Sequence, residues 1–108
     1  MKKNETDLLP VGSVAYLEEG TAMVVILARG QLVEMKDKES KSAYYDYLGG
    51  FYPQGFDPEN SYYFNQGDIR EVVFTGLQNE DDRVYLEMLE AWKKEHMEDF
   101  ILGKTETR

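Results

Sequence analysis

The stretch Ala43–Asn65, AYYDYLGGFYPQGFDPENSYYFN, decides how the rest of the chain is read. It holds nine of the fourteen aromatic residues, interleaved with Gly49, Gly50, Pro53, Gly55 and Pro58. Large rings beside residues that bend the backbone build either a packed hub of β-structure or a sticky binding surface, and the sequence fits both. Ala43–Leu48 reads as a strand, with Tyr45 and Tyr47 on one face and Tyr44, Asp46 and Leu48 on the other. Gly49-Gly50 permits a sharp bend or tight turn, after which Phe51-Tyr52 resumes extended structure before Pro53. Two turn signals, Pro53–Gly55 and Asp57–Asn60, lead to a short strand at Tyr62–Phe64, which Asn65–Asp68 breaks.

Upstream, Met1–Asp7 is a polar lead-in and Ser13–Leu17 a short strand entered through Pro10 and Gly12. Glu18-Glu19-Gly20 is a hairpin turn, so the next strand returns antiparallel. That strand, Thr21–Ala28, contains the run MVVIL; apolar on both faces, it is expected at the centre of the sheet and covered on its outer side. Gln31–Met35 continues it past a bulge or bend at Gly30, and Lys36–Ser42 is a charged loop. Downstream, the spacing of Ile69 and Val72 suggests one helical turn capped by Asp68, followed by a last strand at Val72–Thr75. Asn79 caps a helix whose first turn holds Glu80, Asp81 and Asp82, where the dipole favours acids. Tyr85, Met88 or Leu89, and Trp92 recur at helical spacing, with Val84, His96 and Phe100 extending parts of the stripe, so the helix is expected over about residues 80–101. The order predicts an α+β fold: a small, strongly bent antiparallel sheet or SH3-like barrel of about five strands with one C-terminal helix, spanning residues 8–102 as a single globular domain, with a polar tail at 103–108.

Twenty-one acidic against twelve basic residues give a net charge of −9, which repels nucleic acid and anionic membrane and attracts cationic protein surfaces. Equally, such a charge keeps a small protein in solution. The absence of cysteine excludes disulfides, thiol nucleophiles and Cys-type zinc sites, and makes the cytoplasm the expected compartment. Asn4–Asp7 is polar where a signal peptide would turn apolar, and no run approaches the ~20 residues of a membrane helix.

The inventory gives little support to catalysis. His96 is the sole histidine and sits in the last turns of the expected helix, where a half-exposed histidine is ordinary. Glu80-Asp81-Asp82 could collect a hard cation but suits a helix start better, and Asp57-Pro-Glu-Asn60 lacks the spacing of a calcium loop. Asp46 between two tyrosines could tune a proton donor but reads more simply as a structural carboxylate. No phosphate loop, dinucleotide fingerprint or nucleophile elbow occurs, and no cofactor is implied. The aromatics remain as the candidate surface, with Tyr45, Tyr47, Phe51, Tyr52, Phe56 and Tyr62 as the partner-binding residues, although core packing should claim about half of the nine rings.

Leu9-Pro-Val-Gly-Ser-Val14, Asp46-Tyr47, Tyr52-Pro-Gln-Gly55, Phe64-Asn-Gln-Gly-Asp-Ile69 and Val72-Val-Phe-Thr-Gly76 occur in an order that resembles a small domain-of-unknown-function family of Gram-positive bacteria, encoded beside LXG polymorphic toxins in type VII (Esx/WXG100-related) secretion clusters. Gly49-Gly50 departs from the apolar filler usual there. The resemblance brings no catalytic residues and implies an accessory factor or chaperone that binds an LXG-type toxin or its helical targeting companion. An immunity protein steered by acidity toward a basic toxin, and a glycan or small-ligand binder using exposed tyrosines, are the alternatives.

Overall fold

The computed structural model describes residues 8–34 and 41–104. The lead-in Met1–Asp7, most of the loop Lys36–Ser42 and most of the tail Lys104–Arg108 lie outside them. In chain order the described residues form β1 (Val14–Leu17), β2 (Met23–Val33), β3 (Ser42–Phe51), β4 (Tyr62–Phe64), a 3₁₀ turn (Gln66–Asp68), β5 (Ile69–Phe74), α1 (Glu80–Glu95) and β6 (Phe100–Leu102). The strands make one unclosed sheet in the order β4-β3-β2-β1-β5, with β6 added to β3. The fold is therefore α+β with a bent, open sheet rather than a closed barrel.

The local reasons are those the sequence offers. The β1–β2 hairpin turns at Glu18–Gly20, where the Gly20 N–H reaches the Leu17 carbonyl at 3.0 Å and Glu19 takes a left-handed φ of 63°. β2 occupies the middle of the sheet, as its two-sided apolar run requires. Its Val24 and Ile26 are 2% and 0% exposed and pack with Leu8, Leu9, Tyr47 and Phe64; Leu86 and Leu89 of α1 close over this cluster. One face of the sheet thus carries this core, and the last turns of α1 reach past it to Tyr44, where Lys93 lies 4.8 Å from the ring centre. β2 also runs through Gly30, whose φ of +65° and whose 2.6 Å approach to Leu89 Cδ1 for any added Cβ leave room only for glycine.

Four expectations are corrected. Gly49-Gly50 does not turn the chain; both residues pair with β2 inside β3. They are small because neighbours press on them: a Cβ on Gly49 would stand 2.6 Å from Phe64 Cε1, and one on Gly50 would meet the Gly55 carbonyl. The helical turn falls one step earlier than expected, at Gln66–Asp68, where the Asn65 N–H donates to Asp68 Oδ2 at 2.9 Å, and β5 begins at once at Ile69. Asn79 caps α1 as expected, accepting from the Asp82 N–H at 3.0 Å, but the helix ends at Glu95 and not near residue 101. After a turn in which the Asp99 N–H donates to the His96 carbonyl, Phe100–Leu102 pairs parallel to Ser42–Tyr44. Phe100 continues the apolar stripe of the helix in sequence, yet its ring stacks between Tyr44 at 5.1 Å and Trp92 at 5.7 Å, and that sandwich draws the chain onto the sheet. Finally, strands extend past residue 75, since β6 lies beyond the helix.

Candidate functional site

The face of the sheet opposite the core carries an apolar groove. Cross-strand partners share a face, and Val14 is paired with both Val25 of β2 and Phe74 of β5. The register of β5 skips Val73 between Val72, opposite Ala15, and Phe74, opposite Val14. Such a bulge re-aims its side chains, and here Val73 and Phe74 both line the groove. Met23, Tyr52 and Gly12 complete a volume of about 420 Å3. Tyr52 is placed by its N–H, which donates to the Met23 carbonyl at 2.9 Å. Gly12 is anchored by its N–H on the Ile26 carbonyl, and buried Ser13 holds the chain after β5 by accepting the Gly76 N–H at 3.0 Å.

This surface is open to solvent. Tyr52, Val73 and Phe74 are 51%, 48% and 59% exposed. Tyr52 is the one polar side chain in the lining, so the groove suits burial of apolar side chains and offers no acid–base pair. A second groove of about 560 Å3 lies beside α1 and Leu8; on its rim Arg83 reaches Glu87 at 2.6 Å and also contacts Glu80.

The six aromatic candidates do not form one surface. Tyr52 lines the groove, and Phe56, 61% exposed, stands on the loop that follows. Tyr45 lies half-buried against Tyr63, with ring centres 5.5 Å apart, and its hydroxyl donates to the Lys104 carbonyl at 3.0 Å. Phe51 and Tyr62 meet edge to face at 5.0 Å and pack on the core. Tyr47 is fully buried: its hydroxyl accepts the Leu9 N–H at 2.7 Å and donates to Gln66 Oε1, which removes it from any surface of the folded protein.

The acids have structural partners. Asp46 Oδ2 accepts the Gln66 N–H at 2.9 Å rather than a phenol. Asp57 closes its own turn, and the Asn60 amide, followed by the Glu59 N–H, holds its carboxyl below the usual range. His96 stacks on Trp92 at 4.6 Å. Among the described residues no group of three or more His, Cys, Asp or Glu could hold a metal ion.

Two features escaped the sequence. Arg29, 7% exposed at the end of the apolar run, pairs with Asp82 at 2.6 Å, lies 5.1 Å from the Tyr85 ring centre and reaches the Leu9 carbonyl at 3.4 Å. An arginine directly after MVVILA was its only signal. The groove residues Val14, Met23, Val25, Val73 and Phe74 were legible as strand residues, but a bulge that turns two neighbours to one face leaves no mark in their alternation.

No curated protein and no solved structure matches this chain. One family does, over residues 8–85, a span that contains every residue of the groove. The chain belongs to that family, described as Domain of unknown function (DUF4176).

Proposed function

We propose that this protein is a non-enzymatic, protein-binding accessory factor or chaperone, acting in the cytoplasm on an LXG-type toxin of a type VII secretion cluster or on that toxin's helical targeting companion. The observation that carries the binding role is the open apolar groove on the face of the sheet opposite the core, with Phe74 at 59% and Tyr52 at 51% exposure beside a charge excess of −9. An exposed apolar patch ringed by polar surface is the ordinary mark of a protein interface, and the groove's single polar side chain gives catalysis little to work with. The toxin rests on the ordered motifs from Leu9 to Gly76 and their resemblance to proteins encoded beside LXG toxins.

Co-expression with the product of each adjacent gene, followed by size-exclusion chromatography with light scattering, tests this. A stable complex with an LXG-type toxin through its N-terminal region supports the accessory role. Binding to the C-terminal toxic region, with loss of toxicity, replaces it with an immunity role. Elution alone beside every neighbour removes the reading.

A further inference from the structure

We propose that the groove receives a single amphipathic α-helix of the partner, apolar toward Val14, Val25, Val73 and Phe74 and basic along its flanks; this rests on the protein-binding reading above. The argument begins with layers. A sheet buries its apolar faces against other elements; α1 closes over the core with Leu86 and Leu89 and its last turns reach Tyr44 on the other face, but no residue of α1 lines the groove. The groove spans the end of β3, β2, β1 and β5. Three strand spacings of roughly 4.8 Å make about 14 Å, close to the ~10–12 Å girth of a helix with its side chains. A partner helix laid there gives the sheet a second covering layer.

Other occupants fit less well. An extended segment would have to add to the outer edge of β5, but Arg70 and Val73 are both skipped in its register, and two bulges within six residues break the regular row of amides that strand addition needs. A small polar ligand would find one hydroxyl, that of Tyr52, to orient it. A second copy would bring one charge of −9 onto another.

The surroundings specify the flanks. Glu18 and Glu19 follow β1, and exposed Glu71 stands in β5 opposite Tyr16. The loop after Tyr52 carries no base. Arg70, the one cation in β1 and β5, is already engaged, lying 5.1 Å from the Tyr16 ring centre and donating to the Gly20 carbonyl at 3.3 Å. Lysine or arginine on the partner helix therefore meets acids on this rim.

The test uses the full chain and the intact LXG-type toxin encoded beside it, with Val73→Glu and Phe74→Glu as groove variants and Met88→Glu, at a 61% exposed position on α1, as control. All three positions are exposed, and thermal melts check that each variant folds. The expected result is binding weakened at least about 30-fold by either groove variant and by less than about 2-fold by the control. The toxin segment protected from exchange in the complex should be helical and carry basic residues. If wild-type protein binds and the groove variants bind equally well, the docking site is wrong while the protein-binding role stands. If wild-type protein does not bind, that role fails and the docking site with it. Strong new protection of the β5 amides together with an extended toxin segment would replace the helix with strand addition. A wild-type dimer that Phe74→Glu converts to monomer would make the groove a self-interface and overturn the proposal.

Discussion

Tyr44 and Tyr47 stand three residues apart in β3, 1% and 0% exposed, but their hydroxyls end in different places. That of Tyr47 is bonded to the Leu9 N–H and Gln66; that of Tyr44 has no hydrogen-bond partner among the described residues. Tyr47→Phe should therefore cost about 1–3 kcal/mol in urea unfolding by leaving the Leu9 N–H unsatisfied, whereas Tyr44→Phe should be neutral or stabilising. Burial, assisted by the charges of Asp46 and Glu90, pushes the Tyr44 phenol well above its ordinary value, and burial does the same at Tyr47 against the opposing Leu9 bond. Below the unfolded value of about 10 both states keep the proton and the stability is whole. Above it the unfolded chain ionises first, so stability should fall by up to about 1.4 kcal/mol per pH unit for each tyrosine. Unfolding curves at pH 9, 10 and 11 check this, with a shallower loss expected in Tyr44→Phe. At this scale the sequence placed Tyr45 and Tyr47 on one face but could not tell buried from half-buried. That difference is made by Leu9 and Gln66, 38 and 19 residues away.

At the scale of the element, α1 is half-buried rather than deeply seated, since no helical residue is fully buried. Its first turn is fixed by the Asp82 side chain, 12% exposed, on the Arg29 side chain, 6% exposed. Removing one member leaves a buried charge without its counter-ion, so Asp82→Asn should cost about 3–5 kcal/mol, and the double variant Arg29→Met, Asp82→Leu should recover most of it. Thermal melts of the three proteins decide the matter. The start of the helix was legible because its signals, Asn79 and the acids after it, act within one turn. Its end was not, because Phe100 is drawn off the helix by Tyr44, 56 positions earlier in the chain. Phe100→Ala should release β6 and speed exchange of the amides that it protects along Ser42–Tyr44, while leaving the β1–β2 hairpin unchanged.

Over the whole molecule, order and antiparallel pairing followed from hairpin turns and from the two-sided apolar run of β2, so the class of fold and the central strand were readable. Openness was not, because closure depends on whether the first and last strands meet, which no local pattern records. The −9 charge acts at the same scale. Association with a basic partner should slow several-fold between 50 and 500 mM salt, as the screening length shrinks, while dissociation from the apolar groove changes little; stopped-flow measurement at several salt concentrations separates the two rates. The skipped register at Val73 also places this chain one codon from a different kind of behaviour. Deleting that residue would leave Val72 and Phe74 adjacent opposite Ala15 and Val14 and regularise that end of an edge that now resists zippering to its neighbours.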